Sequence, residues 1–354
     1  MGEKVLSVIV PAYNMEALLP KCLGSMVVED ESIATRLEVI VVNDGSKDRT
    51  SEIAHEFRSR YPGVFSVIDK SNGNYGSCIN VGLNAASGFY VRVLDADDYV
   101  ETANFRKYLE FVIKEADESG ADLIVTDYDR VDLNGTCLGV VDFGLQGFRR
   151  MTLCETLKDG CRYTIHSVTY KLENLKKIGY VQTEGISYTD TEWIIEPMVA
   201  VKSMVHLPIV VTHYLVGRDG QTTDDRVFAK KFEQIITIAK ALISRYDRMI
   251  AIADTNSREY YRQQILGVLQ MVYWVPTFGW NGHKAVANLH SFDGFLKDKQ
   301  SLYQDAGEFT VHPRFLPEIK YVKLHRSVRL LDKVSLLLLK VHVRICDIIR
   351  SINV

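Results

Sequence analysis

The sequence predicts an α/β protein in which a mostly parallel sheet carries helices on both faces and is followed by a helical C-terminal region. Apolar runs of strand length alternate with amphipathic segments between residues 5 and 126, the cadence of right-handed βαβ units. Each of these apolar runs ends abruptly in a polar loop. From about residue 226 onward, apolar residues recur at three- and four-residue spacing, which is typical of helices.

The first predicted strand covers residues 5–10 and is an unbroken run of apolar and β-branched residues. Pro11-Ala12-Tyr13-Asn14 ends it, because proline cannot continue a central hydrogen-bond ladder. Asn14 is the predicted N-cap of the next helix, and Pro20 should lie in the first turns of that helix.

Two further strands are predicted at residues 37–42 and 65–68. The first ends at Asn43-Asp44-Gly45-Ser46, and Asp48 is expected to cap the helix that follows. The second ends in the loop Asn72-Gly73-Asn74-Tyr75-Gly76. Both loops should lie at the carboxyl ends of parallel strands, where open α/β sheets bind their ligands.

Helix 77–86 leads into a strand at 89–94 that ends in three carboxylates, Asp95, Asp97 and Asp98. Carboxylates this close repel one another unless a cation or hydrogen-bond donors balance them. Oxygen ligands of this kind suit Mg²⁺ or Mn²⁺. The alternative is an acidic turn that merely precedes the next helix. With either interpretation, Asp98 is expected to cap that helix.

The pattern continues through helix 102–118 and strand 122–126 and then changes. Asn134-Gly135 predicts a hairpin turn, since both residues tolerate positive φ. Beyond it we predict a strand at 163–171 and a short helix that ends at Gly179, followed by a strand at 209–211. Thr189 and Glu192 have the spacing of a capping box that opens helix 190–201.

Composition excludes several classes of protein. Hydrophobic residues make up 47% and charged residues 25%, as in ordinary globular proteins, and the net charge of −3 gives no basic field for nucleic acid. The six cysteines form no CxxC pair, which disfavours a disulfide scaffold or zinc site and fits a reducing cytoplasm. We expect neither a signal peptide nor a transmembrane helix.

The common nucleotide and hydrolase motifs are absent from the sequence. There is no G-x-G-x-x-G after the first strand, no G-x-x-x-x-G-K-[ST] and no G-x-S-x-G. What remains is a nucleotide pocket without a phosphate loop, in which a metal ion would neutralise the phosphates.

Three segments together resemble the family 2 glycosyltransferases: Ser7–Asn14, Val41–Thr50 and Leu94–Asp98. The resemblance implies the GT-A fold, a Rossmann-like nucleotide-binding sheet joined to an acceptor-binding half. It also implies inverting transfer from a nucleotide-diphospho-sugar, most often a UDP-sugar, to a glycan or lipid-linked glycan in surface polysaccharide synthesis. Residues 1–100 would then bind the nucleotide-sugar, 101–225 would hold the acceptor side and the catalytic base, and 226–354 would form the helical region.

The resemblance also implies roles for individual residues. The nucleotide would contact Pro11, Ala12, Tyr13, Glu16, Asp44, Asn72, Gly73, Asp95 and Ala96. Asp44 would accept a hydrogen bond from the base. Asp97, with Asp95 as its partner, would hold Mn²⁺ or Mg²⁺ as the D-x-D motif.

Asp190 matches the acidic position that carries the family's catalytic base, although Thr189 replaces the glutamate that usually precedes it. The alternative is that Asp190 only stabilises a helix N-terminus through the dipole. Arg218 would clamp the diphosphate or else be a solvated loop arginine. His213 would be a third metal ligand or, more often for a lone histidine, a packed residue.

The last 35 residues form a basic, apolar segment. Residues 320–354 carry eight Lys and Arg against Asp332 and Asp347, a net charge of +6. A basic amphipathic helix of this kind lies on an anionic membrane surface, here the inner face of the cell membrane, or packs on protein, including a second copy of the chain.

Two rival functions stay open at this point. A sugar-phosphate nucleotidyltransferase shares the broad architecture but would need a glycine-rich, arginine-containing loop where Pro11–Asn14 stands. A nucleotide-sugar-binding scaffold that has lost catalysis would retain the pocket without turnover.

Overall fold

The computed structural model describes residues 3–118, 120–158, 162–218, 225–278, 285–312, 318–327 and 330–352. The chain divides into two compact units. The first comprises Met1–Phe228 and Asp247–Tyr261, and the second comprises Ala229–Tyr246 and Arg262–Val354. None of the described helices is both long enough and apolar enough to cross a membrane.

The first unit is built on one ten-stranded mixed sheet. Its strands are β1 Leu6–Ala12, β2 Leu37–Asn43, β3 Phe65–Asp69, β4 Tyr90–Val93, β5 Tyr99–Val100, β6 Leu123–Val131, β7 Cys137–Val141, β8 Arg150–Met151, β9 Val168–Lys171 and β10 Met204–Leu215. The order is β3-β2-β1-β4-β9-β6-β10-β5, with β7 paired to β6 and β8 to β10.

The predicted parallel half is confirmed. β1 pairs in parallel with β2 and β4, and β2 pairs in parallel with β3. β9 then lies antiparallel between β4 and β6, which leaves β6 pointing the same way as β4 without touching it. All three loops that follow β1, β2 and β4 therefore open at one edge of the sheet.

The helices that accompany the sheet are short except for three. They are α1 Leu19–Ser25, α2 Glu31–Ala34, α3 Thr50–Arg60, α4 Asn74–Ala85, α5 Thr102–Asp117, α6 Leu153–Lys158, α7 Leu172–Ile178 and α8 Asp190–Ile195, followed by a 3-10 helix at Pro197–Ala200. One face of β1 packs Leu6, Val8 and Val10 with apolar residues of α1 and α5 in a single buried cluster. α4 packs on β1 and β2, so the strands read as continuous apolar runs because both faces are covered.

The helical prediction for the C-terminal region is confirmed. The helices are α9 Asp225–Ile252, α10 Thr255–Phe278, α11 Ala285–Leu296, α12 Gln300–Gly307, α13 Tyr321–Arg326 and α14 Leu330–Ile352. The turn between α9 and α10 lies in the stretch Asp247–Tyr261, which belongs to the first unit. Within that unit, Asn256 O accepts a hydrogen bond from Cys154 Sγ at 3.1 Å, and the rings of Tyr163 and Tyr260 stack at 6.3 Å.

Several local predictions are confirmed. Pro20 lies in the first turn of α1, and Gly179 ends α7 in the left-handed conformation. The turn containing Asn134 and Gly135 joins antiparallel β6 and β7, with Gly135 at φ 82°. Asp48 accepts a hydrogen bond from the N–H of Thr50, the first residue of α3.

Two predicted helix caps are wrong. Asn14 does not begin a helix, because its own N–H donates to Ser46 Oγ and its side chain accepts from the N–H of Lys47, across the loops that follow β1 and β2. Thr189 makes no side-chain capping bond to α8. Its expected partner Glu192 instead accepts hydrogen bonds from the N–H and hydroxyl of Thr183.

Three element lengths also differ from prediction. α8 ends at Ile195 instead of 201, because Pro197 has no N–H to donate to the carbonyl of Trp193, and the chain continues only as the 3-10 helix Pro197–Ala200. β9 is shorter than the predicted strand 163–171. β10 is much longer than 209–211, because it pairs with β6 along most of its length.

Candidate active site

Most of the predicted site residues meet in one cavity of about 550 Å³ at the carboxyl ends of β1, β2 and β4. The predicted residues among its lining are Pro11, Ala12, Tyr13, Asp44, Asn72, Asp95, Ala96, Asp97, Asp190 and Arg218. Two predicted residues lie elsewhere. Glu16 accepts a hydrogen bond from the N–H of Arg49, beside the start of α3, and Gly73 stands behind Asp44 as the N-cap of α4.

Asp44 is held in place by several hydrogen bonds, at the side of the cavity that is predicted to bind the nucleotide. Its side chain is 4% exposed and accepts hydrogen bonds from the N–H groups of Gly73 and Asn74, both at 2.9 Å, and from Lys70 Nζ at 2.6 Å. Gly45, at φ 72°, allows the tight turn after it, since a Cβ there would lie 3.1 Å from the N of Asn72. The loops after β2 and β3 are thus locked to each other through one carboxylate.

The carboxylates after β4 lie close enough to share one cation. One oxygen from each of Asp95, Asp97 and Asp98 lies within 4.8 Å of the other two. Burial, followed by the charges of Asp98 and Asp97, raises the pKa of Asp95 to about 7. A divalent cation with oxygen ligands would relieve this repulsion, so the residues present fit Mn²⁺ or Mg²⁺.

Each of the three carboxylates has its own protein partner. Asp95 Oδ1 accepts a hydrogen bond from the Tyr75 hydroxyl at 2.7 Å. Arg218 donates to Asp97 Oδ2 from both Nε (3.2 Å) and Nη2 (2.7 Å). The guanidinium predicted to bind a diphosphate therefore lies directly beside the carboxylate predicted to bind the metal.

Asp98 does not cap α5, and that prediction is wrong. The capping bond comes from Glu101, whose carboxylate accepts from the N–H of Asn104. Asp98 is buried, accepts the N–H of Leu215 at 2.9 Å, and has Oδ2 3.2 Å from Nδ1 of His166. Asp98 thus bonds to β10 and lies against the loop that precedes β9.

Asp190 is the first residue of α8 and lines the same cavity as the carboxylate cluster. Asp190 is exposed to the cavity, and desolvation by the surrounding protein raises the pKa of its carboxyl, although the hydrogen bond from the N–H of Thr191 partly opposes this. A carboxylate made more basic in this way is better suited to accept a proton at neutral pH.

The segment before Asp190 is held against α4. Asn80 Nδ2 donates to Gln182 O and to Glu184, and the N–H of Gln182 donates back to Asn80 Oδ1 at 2.9 Å. Gly76 makes this approach possible, since a Cβ there would lie 2.1 Å from the carbonyl oxygen of Thr183. α4 therefore positions both the segment that leads to Asp190 and, through the N–H of Asn74, the carboxylate of Asp44.

Nine of the lining residues were not predicted as site residues, and four of these carry a ring: Tyr75, His166, Tyr188 and Tyr214. Tyr75 lies inside a loop that the sequence already placed at this edge. His166 stacks on Tyr214 with ring centroids 4.1 Å apart, and neither residue follows a predicted parallel strand. Tyr188 has φ 64°, a strained value for an aromatic residue, which indicates that the surrounding contacts fix its backbone.

His213 lies away from this cavity. Its Nδ1 is 2.6 Å from Asp129 Oδ1 and its ring packs on Tyr99. It lines a separate surface pocket with Lys21 and Thr102, so the structure supports the packed alternative over a metal-ligand role.

A parallel half-sheet whose loops carry D-x-D carboxylates, joined to a mixed half that supplies a further acid, defines a glycosyltransferase domain of GT-A fold. The family model of glycosyl transferase family 2 matches residues 7–161. This region of the chain is therefore similar to glycosyl transferase family 2.

Relatives with known names are similar mainly over the same region. The uncharacterized glycosyltransferase EpsJ of Bacillus subtilis is 37% identical over 120 residues, which cover 34% of this chain and 33% of EpsJ. Glycosyltransferase GlyA of Streptococcus pneumoniae is 38% identical over 123 residues, 35% of this chain and 16% of GlyA. The match thus spans a third or less of these two relatives. An uncharacterized glycosyltransferase of Mycoplasma pneumoniae, the MG060 homolog, is 28% identical over 73% of this chain and 84% of its own length.

Solved structures extend the likeness in fold beyond the family region. The crystal structure of S. aureus TarS 1-349 in complex with UDP-GlcNAc aligns with a TM-score of 0.62 and 19% identity, covering 84% of this chain and 83% of that one. At this level of identity the likeness shows the fold.

Proposed function

We propose that the protein is an inverting, metal-dependent glycosyltransferase that moves a sugar from a nucleotide-diphospho-sugar to a glycan or lipid-linked glycan acceptor in surface polysaccharide synthesis. The observation that carries the proposal is a single cavity lined by Asp44, Asp95, Asp97 and Asp190. The cavity therefore contains candidate side chains for nucleotide binding, for metal binding and for the general base. UDP-sugars are the first donors to test, and TarS, which shares the fold, was solved with UDP-GlcNAc.

The proposed roles rest on the family resemblance and on the positions of these residues in the cavity. Asp44 would accept a hydrogen bond from the base, and Pro11, Ala12 and Tyr13 would line the base and ribose. Asp97 and Asp95 would hold the cation, which, when bound, stabilises the negative charge of the departing diphosphate. Arg218, beside Asp97, would bind a phosphate oxygen through its planar guanidinium.

Asp190 would act as general base. The acceptor hydroxyl oxygen forms a bond to the anomeric carbon while the bond from that carbon to the diphosphate breaks. The hydroxyl proton passes to the Asp190 carboxylate, and the nucleoside diphosphate leaves with the bonding electron pair. Attack from the face opposite the leaving group inverts the anomeric configuration.

The metal assignment is tested by the melting temperature of the full chain with UDP, with and without Mn²⁺. We expect wild-type protein to gain stability from UDP chiefly when Mn²⁺ is present, because ligand binding to the folded state raises its stability. Asp97→Asn should lose this metal-dependent gain. Asp117→Asn, which changes an exposed carboxylate on α5, is the matched control, and unchanged UDP affinity of Asp97→Asn with Mn²⁺ would overturn the assignment.

Turnover distinguishes the enzyme from a scaffold that has lost catalysis. Release of UDP from UDP-sugars in the presence of Mn²⁺ is the expected result, slowly to water and faster with a suitable acceptor. Metal-dependent binding without any release from the donors that bind would favour the scaffold.

We also propose that α14 contacts the cytoplasmic face of the cell membrane. Several apolar side chains of α14 are strongly exposed, among them Leu331 (80%), Leu337 (61%) and Leu338 (65%), whereas Leu336 and Leu339 are buried. Leu331, Val334, Leu338 and Val341 follow one another at intervals of three or four residues and, with Leu337, form one exposed apolar stripe on the helix. Lys333 and the net charge of +6 over 320–354 suit anionic lipid headgroups, whereas pairing two such helices would bring like charges together.

A further inference from the structure

The second compact unit contains its own cavity of about 410 Å³, lined by residues of α10, α11, α13 and α14. We call it the helical-unit cavity and define it by Tyr273, His290, Asp293, Lys297, Arg326 and Lys333. Nothing in the proposed transfer reaction uses these residues.

A fixed arginine lies at one side of this cavity. The Arg326 side chain is only 13% exposed and donates from Nε to Asp293 Oδ1 at 2.7 Å, from Nη1 to Tyr303 O at 2.6 Å and from Nη2 to the Tyr273 hydroxyl at 3.0 Å. The guanidinium also stacks on the Tyr303 ring at 3.6 Å. It is therefore held in one orientation before any ligand arrives.

The charge of this arginine is already balanced. Asp293 accepts hydrogen bonds from both Arg326 and the Tyr273 hydroxyl, and it is the one carboxylate among the described residues that line the cavity. A guanidinium has five N–H donors. Three are engaged in the hydrogen bonds given above, which leaves donors for a further acceptor.

The excess positive charge comes from two lysines. Lys297 and Lys333 both line the cavity and are exposed. Lys333 Nζ is placed by its hydrogen bond to His325 O at 2.7 Å. Since Asp293 and Arg326 cancel, the ammonium groups of Lys297 and Lys333 leave the cavity with a net charge of about +2.

The neighbouring His325 is affected by the same positive charges. Burial, followed by the positive charges of Lys340, Lys333 and His290, lowers the pKa of His325 to about 4. His325 Nε2 lies 2.6 Å from the hydroxyl of Thr277. The imidazole is therefore held neutral beside the lysines instead of adding a charge.

We propose that the helical-unit cavity binds a phosphate group. Two lysine ammonium groups and a fixed arginine fork are the groups that proteins use for phosphate oxygens. A phosphate ion occupies only part of about 410 Å³, so the cavity suits a phosphate ester, with room for the glycosyl or glyceryl group attached to it. Such an ester is either soluble or the headgroup of a phospholipid.

The test measures binding of inorganic phosphate and of glycerol 3-phosphate to the full chain by calorimetry, in metal-free buffer. The double variant Lys297→Gln, Lys333→Gln should bind phosphate roughly tenfold more weakly, because each charge-assisted contact to phosphate is lost. The matched control is Lys320→Gln, Lys323→Gln. It removes the same charge from the same unit, at lysines that pair with Glu308 outside the cavity.

Equal binding by the two double variants, or no phosphate binding by wild-type protein, would overturn the proposal. The single variant Lys297→Gln changes only an exposed side chain and keeps the test valid if the double variant unfolds. Vesicles distinguish the two sources. Displacement of bound phosphate by vesicles of phosphatidic acid in phosphatidylcholine supports a lipid headgroup, whereas displacement by glycerol 3-phosphate alone supports a soluble ester.

Discussion

Asp44→Asn should destabilise the first unit by an amount that the structure allows us to bound. The substitution keeps the shape of the side chain but removes its charge. Lys70 Nζ then loses its ionic partner at 2.6 Å, in a pair whose side chains are 4% and 18% exposed. The asparagine amide must also place an N–H against one of the donors from Gly73, Asn74 or Lys70.

Breaking a buried ion pair by removing one partner costs roughly 3–5 kcal/mol. We expect the lower end, about 3 kcal/mol, because Lys70 keeps its hydrogen bonds to Ser71 O and Ser77 Oγ. For a unit of about 150–250 residues, this corresponds to a fall in melting temperature of roughly 6–12 °C. Urea unfolding followed by circular dichroism measures the free energy directly.

Asp69→Asn is the matched control. Asp69 also lies at the carboxyl end of a parallel strand and also accepts several hydrogen bonds, but its side chain is 45% exposed and lies outside the cavity. We expect it to lose less than about 1 kcal/mol and to keep its affinity for UDP. If the free energy of unfolding falls no more in Asp44→Asn than in Asp69→Asn, the Asp44 carboxylate does not hold the loops after β2 and β3 together. If it also binds UDP as wild type does at a temperature where it is folded, Asp44 does not contact the base.

Three further predictions concern the base, a buried histidine and α14. Asp190→Asn should bind UDP with Mn²⁺ as wild type does but lose nearly all transfer, because no carboxylate remains to accept the hydroxyl proton; nucleotide release measures this. Burial lowers the pKa of His206, but the hydrogen bond and charge of Asp127 outweigh it and raise the pKa above its usual value. The resulting stabilisation is fully present below about pH 6.5 and is lost as the pH rises through the folded-state pKa. His206→Gln should therefore differ from wild type in urea stability more at about pH 6 than at about pH 9. Leu337→Ser with Leu338→Ser should reduce sedimentation with anionic vesicles, because it removes exposed apolar area from α14.

Each of these predictions has a contrary result. Wild-type turnover by Asp190→Asn would refute the base role. A stability difference for His206→Gln that does not change with pH would show that the imidazole carries no extra proton in the folded state. For α14 the control is Leu133→Ser with Leu138→Ser, two comparably exposed leucines at the β6–β7 hairpin. Equal vesicle binding by both double variants would exclude α14, and concentration-dependent dimerisation that only the α14 variant abolishes would favour a second copy as its partner.

The sequence predicted which loops of the parallel half-sheet meet at the cavity, because the information there is local. β1, β2 and β4 are short apolar runs that end abruptly, and parallel neighbours must end at the same edge of the sheet. Asp44 and Asp97 could therefore be placed in one cavity from their positions after strands alone.

The other side depends on strand direction, which the sequence does not reveal. β9 has four residues and runs antiparallel between β4 and β6. An antiparallel strand begins at the edge where its parallel neighbours end. His166 precedes β9 and so lies in the cavity. The expectation that site residues follow the ends of strands therefore does not include it.

The wrong caps have a similar cause. Asn14 and Glu192 have the right spacing for local capping, yet both bond to residues distant in sequence, Lys47 and Thr183 respectively. Spacing predicts a cap only when no tertiary partner competes for the side chain.

The path of α9 and α10 has a practical consequence for making shorter or chimeric versions of the protein. Because Asp247–Tyr261 belongs to the first unit while both flanking stretches belong to the second, the chain leaves that unit, returns to it and leaves again. A polypeptide that stops near residue 225 therefore lacks a packed piece that includes the buried Tyr260 and Tyr261. Exchange of acceptor regions between relatives would have to carry this helical turn along with the sheet that it packs on, and a fusion joint placed after α10 would keep that piece in the same polypeptide.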